Sequence, residues 1–255
     1  MRRRQLLLPL AGLLSTPAAW PQARTVVVGA EDDWFPYSAL VDGRAQGLTV
    51  DLVTAAFAAV GITARMEPLP YARCMAQTKS GSLAACFNTT RTEQIEKDYL
   101  WTSRPMFEER FLIWGLVDDV VTRPGGLMVR DLEGQQVAVT RGYEYGTEFD
   151  GNPRIVRVVT GQDEKNFRLL LKSRARYTLS PDANARLLFQ RHPELAGRFK
   201  VVGQLDAFGI YTAFSRTHPL GTALRAAFDD GLRIIQANGT ARAIHDRWRQ
   251  RIQGR

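Results

Sequence analysis

Short β-branched runs alternate with helical runs along this chain, and the alternation restarts halfway; that order constrains the fold more than any other feature. Arg24 to Ala30 reads as a buried strand, Gly47 to Gly61 as an amphipathic helix closed by a glycine, and Ile62 to Pro68 as a second strand. Tyr71 to Lys79 follows as a short helix, Ser80 and Gly81 as a turn, and Leu83 to Phe87 as a third strand. Strand, helix, strand, helix, strand is the pattern of a parallel sheet. After an apolar run from Phe111 to Val117, the polar punctuation of Asp118, Asp119 and Pro124-Gly125-Gly126 marks a boundary. Beyond it Gln136 to Thr140, Ile155 to Val159 and Arg176 to Leu179 read as strands, with a helix from Asp163 to Ser173. The second half therefore repeats the plan of the first. Phe208 to Phe214 reads as a strand returning to the first half, ahead of a helical tail from Leu220 to Ile252 broken at Asn238-Gly239. Leu224, Phe228, Leu232 and Ile235 recur there at helical spacing and are expected in the core.

Polar groups just past the end of a strand are where open α/β sheets hold small ligands. The stretch from Asn88 to Thr92, read as a loop after the third strand, is therefore the first site candidate.

An apolar fraction of 45% and a charged fraction of 24% are ordinary for a soluble globular chain, and 255 residues suffice for one large domain or two modest lobes. Residues 1–23 stand apart: Arg2, Arg3 and Arg4, an apolar run from Leu6 to Leu14 and a small-residue region ending at Ala18 or Ala23 read as a cleaved export signal. The Arg-Arg pair leaves both the general and the twin-arginine route open. Without that segment, 31 basic residues face 26 acidic ones, and the formal charge falls from +8 to +5. The basic residues are scattered, so nucleic acid is excluded as an expected partner. In an exported protein Cys74 and Cys86 are expected to form a disulfide clipping the Tyr71 helix to the following strand; two buried thiols are the alternative.

Several motifs in order carry a resemblance. They are Asp42-Gly43 with Gly47-Leu-Thr-Val-Asp51-Leu, Ser80-Gly81-Ser-Leu-Ala, Thr92-Glu93 with Tyr99 to Pro105, Leu132-Glu-Gly134-Gln-Gln-Val-Ala-Val, Arg141-Gly142-Tyr143-Glu-Tyr145-Gly146, and Asp229-Asp230-Gly231 to Trp248. Together they resemble the type 3 family of bacterial extracellular (periplasmic) solute-binding proteins, the group that includes receptors for polar amino acids. The resemblance implies two α/β lobes joined by two crossover strands, with a ligand cleft between them and hinge closure near Leu116 and Ile210. It implies residues 24–116 and 210–255 for the first lobe and residues 117–209 for the second.

It also implies a ligand set. Glu31, Trp34 and Tyr37 follow the first strand; Tyr71 stands where the family often places an aromatic lid; Asn88 and Thr90 belong to the polar stretch. Receptors of this family grip a ligand carboxylate with an arginine whose place Ile95 takes here, so Arg91 is expected to substitute; an exposed arginine capping the turn is the alternative. Arg141, Tyr143 and Asp182 are the candidates from the second lobe, Asp182 being equally placed to cap a helix. The expected ligand is a small polar or anionic solute.

His192, His218 and His245 lack metal-ligand spacing, and no nucleophile elbow or phosphate loop is present, so neither metal nor cofactor is expected. The resemblance implies a monomeric, non-enzymatic binding protein that delivers its solute to a membrane permease complex. Two alternatives stand beside it: a periplasmic dehydratase-like enzyme using Glu31, Glu144 or Asp182 as acid or base, and an accessory binding protein for a redox enzyme.

Overall fold

The computed structural model describes residues 24–120 and 123–253; the expected export signal lies outside them. The first half holds β1 (Arg24–Glu31), β2 (Asp33–Trp34), β3 (Ser38–Val41), β4 (Arg44–Gln46), α1 (Leu48–Ala58), β5 (Ile62–Leu69), α2 (Tyr71–Ser80), β6 (Ala85–Thr90), β7 (Tyr99–Trp101) and β8 (Phe107–Leu116). The second holds β9 (Gln136–Thr140), α3 (Thr147–Asp150), β10 (Val156–Thr160), α4 (Asp163–Leu171), β11 (Tyr177–Ser180), α5 (Asp182–Arg191) and β12 (Phe199–Ser215), followed by α6 (Gly221–Ala237) and α7 (Thr240–Ile252).

The architecture is a two-lobed α/β fold built on one continuous sheet in the order β10-β9-β11-β8-β12-β6-β1-β5, with β7 also on β12. Pairing is parallel within each lobe, β1 with β5 and β6, and β9 with β10 and β11. The two long strands β8 and β12 run antiparallel from Phe199 opposite Leu116 to Ile210 opposite Phe107, and link the lobes. A small antiparallel sheet, β2-β3-β4, covers the entrance to α1.

Two strand expectations are corrected. The third strand is Ala85–Thr90 rather than Leu83 to Phe87, because β6 lies between β1 and β12 and its pairing with β12 extends to Thr90. Asn88 to Thr90 are therefore buried strand residues rather than a loop. The returning strand starts at Phe199, nine residues before the expected Phe208, since its first part pairs with β8 in the second lobe.

Leu52, Val53, Ala56 and Phe57 of α1 meet Leu224, Phe228 and Leu232 of α6, with Phe57, Phe214 and Phe228 packed edge-on or tilted against one another in the centre. Helix α7 docks through Ile244 and Trp248, whose indole N–H donates to Asp51 at 2.7 Å. Gly231 lets α6 approach closely: a Cβ at that position would run into the backbone carbonyl of Ala56. Replacing Gly231 by Ala is expected to destabilise the fold by about 2 kcal/mol through overpacking, read as a lower denaturant midpoint at unchanged slope. A second apolar cluster around Trp114, Phe167, Leu170 and Phe199 forms the core of the other lobe.

Candidate functional site

Where β1 ends, between β5 and β6 in the sheet of the first lobe, Glu31 sits 2% exposed beside Asn88 of β6. A chain leaving a central parallel strand carries its next residues into the crevice above the sheet, and here that loop brings Trp34. Tyr71 opens α2, and the loop between β9 and α3 brings Tyr143 and Glu144 from the other lobe. With Thr90, Phe111 and Ile210 these residues enclose a cavity of about 10 Å³, room for about one water molecule.

The lobes are tied across this cavity by two crossed pairs. Tyr143 donates to the Glu31 carboxylate, and Tyr71 donates to Glu144 at 2.5 Å. A third tie lies to one side, where the Asn184 amide donates to the Phe35 carbonyl at 2.9 Å. Aromatic rings fill the remaining space: Trp34 stacks on Tyr37 at 4.2 Å and on Phe111 at 6.2 Å, and Tyr143 stands edge-on to Trp34 and Tyr71.

Burial sets the electrostatics. Desolvation raises Glu31 well above the ordinary carboxylate range, partly offset by the hydrogen bonds from Tyr143 and Asn88. Desolvation likewise lifts Glu144 to about 8 against the bond from Tyr71, although the residue as a whole stays partly exposed. Just beyond, burial lifts Asp163 to about 7; it accepts from Thr140 at 2.5 Å within a polar network that continues through Ser180 and Asn184. Two buried polar atoms of the lining have no partner, Asn88 Oδ1 and Trp34 Nε1.

Of the residues expected from sequence, the fold brings together Glu31, Trp34, Tyr71, Asn88, Thr90 and Tyr143. Tyr37 lies behind Trp34, donating to the Glu109 carboxylate. Arg141 lines a wider outer vestibule together with Asp32, Asp33, Gln162 and Lys165. Arg91 and Asp182 stand elsewhere. The Arg91 guanidinium is exposed and held by both oxygens of Glu96, with Nε to Oε2 at 2.8 Å: β6 runs as a strand through Thr90, which lines the cavity, and the next side chain points away from it. Ile95, in the place of the family arginine, packs against the apolar cluster of Tyr71, Cys74 and Met75. Asp182 is a first-turn residue of α5 and pairs with Arg186 at 2.7 Å. The Cys74–Cys86 disulfide is present, joining α2 to β6 directly below the cavity.

Phe111, Ile210, Glu109 and Asn184 were not legible as site residues. The Phe107-Glu-Glu109-Arg-Phe111 pattern held one signal, since Glu109 shares a strand face with two phenylalanines. Among the described residues no group of three or more His, Cys, Asp or Glu side chains is arranged to hold a metal ion, and no helix is long and apolar enough to cross a membrane.

The family described as bacterial extracellular solute-binding proteins, family 3, matches residues 26–251. Among solved structures, a histidine kinase sensor domain with similarity to periplasmic binding proteins superposes with a TM-score of 0.76 at 23% identity, covering 89% of this chain and 96% of that one. A mutant of the arginine-binding protein ArgBP from T. maritima gives 0.72 at 21% identity, covering 88% and 94%. The arginine-, lysine-, histidine-binding protein ArtJ from Geobacillus stearothermophilus gives 0.70 at 18% identity, covering 90% and 100%. At these identities the likeness is one of fold. No curated protein matches the chain by sequence.

Proposed function

This chain belongs to the bacterial extracellular solute-binding proteins of family 3, and on that premise we propose that it captures a small organic solute in the cleft between its lobes by hinge closure. The observation that carries the reading is the pair of crossed contacts, Tyr143 to Glu31 and Tyr71 to Glu144: polar and aromatic groups from both lobes converge on one enclosed point. A solute entering there must displace Tyr143 and Glu144, so binding and lobe movement are coupled through differential contact with the two states. Closure would bend the long strands β8 and β12 that join the lobes, from the expected hinge points near Leu116 and Ile210 through the segment where the register of β12 against β8 shifts between Gln204 and Ala207. Export through residues 1–23 and delivery to a membrane permease complex complete the proposal. A sensory role, as in the histidine kinase sensor domain of like fold, would use the same closure.

The test is a thermal-shift screen of small amines, amino acids and organic acids on the mature protein, since a ligand bound only by the folded state raises its melting temperature by mass action. Gly142 supplies the control. It has a φ of +82°, and a Cβ there would lie 2.9 Å from the Ala72 Cβ across the lobe interface. Gly142→Val is expected to wedge the lobes apart and cancel the ligand-induced shift, while circular dichroism stays that of the parent. A shift of equal size in both proteins would place the ligand outside the cleft.

A second reading, acid–base catalysis on the same scaffold, draws on the two raised carboxyls meeting in one cavity. Each is engaged by a tyrosine from the opposite lobe, which suits a binding site held shut better than a free proton carrier. Mass spectrometry of the hit compound after incubation separates the two: a receptor returns it unchanged.

A further inference from the structure

We propose that the solute is an organic cation without a carboxylate, an amine or guanidinium, held by Glu31 and Glu144 inside the aromatic ring of the inner cavity. The inference rests on the reading of this cleft as the solute site and names the chemistry it selects. It keeps the small polar solute expected from sequence but departs from the carboxylate that Arg91 was expected to grip, and three independent features of the lining carry it.

The polar lining is dominated by acceptors. Glu31 and Glu144 contribute two carboxyls from opposite lobes, and Asn88 Oδ1 is buried without a donor while its own amide nitrogen is spent on Glu31 at 3.3 Å. A ligand bearing several N–H groups satisfies such a set; an anion does not. The walls are the rings of Trp34, Tyr71, Phe111 and Tyr143, whose π faces attract cations.

Among the described residues no arginine or lysine lines the inner cavity. Arg91 is committed to Glu96 at the surface, and Ile95 is part of an apolar cluster. A ligand carboxylate would therefore be buried beside two carboxyls with no cationic partner, the Trp34 indole N–H being the unpaired donor of the lining, and a charge buried without a counter-charge is costly. Arg141 and Lys165 line the outer vestibule, which shares Glu31, Tyr71 and Tyr143 with the inner cavity, and there Asp32 and Asp33 offset them. Desolvation raises both Glu31 and Glu144, so an entering cation that pairs with them favours their ionised form and displaces protons.

The matched probes are agmatine and arginine, which differ by one carboxylate, with glutarate as the anionic member, each titrated calorimetrically into the mature protein at pH 7.5. Agmatine is expected to bind about 30-fold more tightly than arginine or better, the factor for leaving a buried charge unpaired. Its heat should vary with the ionisation enthalpy of the buffer, because binding releases protons. Glu31→Gln keeps the hydrogen-bonding shape and should weaken agmatine by about 30-fold or more while melting no lower than the parent; Glu144→Gln is the second variant. Arginine binding as tightly as agmatine, or Glu31→Gln and Glu144→Gln both binding agmatine at parental affinity, overturns the proposal. Glutarate binding in the cleft with no response to agmatine overturns it too, yet leaves the solute-binding reading standing. Failure of every class in the wider thermal-shift screen overturns both.

Discussion

Between pH 5 and pH 8 the thermal unfolding midpoint of the parent protein should fall, and Glu144→Gln should remove much of that fall. Burial holds the Glu144 carboxyl at about 8 where an exposed glutamate titrates near 4.5. Below about 4.5 the group is protonated in folded and unfolded chains alike and contributes no pH dependence. As pH rises the unfolded chain releases the proton first; the folded chain then binds more protons, so stability drops until pH passes about 8 and the loss levels off. A carboxyl displaced this far corresponds to about 4 to 5 kcal/mol if the lobes stay shut. For a chain of this size that is about 8 to 20 °C, an upper range because lobe opening re-solvates Glu144 without unfolding the rest. Glu31, Asp163 and Asp150, the last lifted to about 6, are raised by the same burial and act in the same direction. Comparing parent and Glu144→Gln isolates the one group from the net-charge background. Parallel pH profiles for the two proteins would show that Glu144 is solvated in the folded state.

The fold was legible because each strand and helix carries its own period and punctuation. Gly81, with φ +87°, ends α2 as its position after Ser80 predicts, and Gly239, with φ +84°, breaks the tail between α6 and α7. Much of the cavity was legible for a similar reason: Glu31 and Asn88 sit at the ends of strands inside the sheet, where topology alone directs a side chain to the crevice. What sequence could not reveal is direction within a residue or two. Asn88 adopts φ +70° at the end of a strand three residues longer than its apolar pattern, and the twist this introduces decides that Thr90 faces the cavity while Arg91 faces Glu96 and solvent. The charge of the site turned on that one step. Phe111 and Ile210 were hidden for a different reason, since they occupy the two long crossover strands, whose apolar residues serve a lobe core at one end and the cleft in the middle.

Removing the disulfide should lower stability by roughly 3 kcal/mol and loosen the cavity with it. Cys74 and Cys86 are 12 residues apart and fully buried, and closing a loop of that length restricts the unfolded chain by about this amount. The bond also has a specific position. Cys74 lies on α2 one turn after Tyr71, and Cys86 lies on β6 two residues before Asn88, so the bridge fixes the tyrosine that reaches Glu144 relative to the strand that supplies Asn88 and Thr90. Its surroundings leave no slack: Tyr71, Met75, Tyr99, Trp101 and Ala213 pack around it, and Gly29, opposite Cys86 in the sheet, has no room for a side chain against the Cys74 sulfur. Cys74→Ala/Cys86→Ala should therefore melt about 6 to 12 °C below the parent, at about 2 to 4 °C per kcal/mol for a chain of this size. Hydrogen exchange should rise first at the start of α2 and the end of β6. A double variant melting within a degree of the parent, with unchanged exchange at Tyr71 and Asn88, would mean that packing alone holds α2 on the sheet and that the bridge plays no part in shaping the cavity.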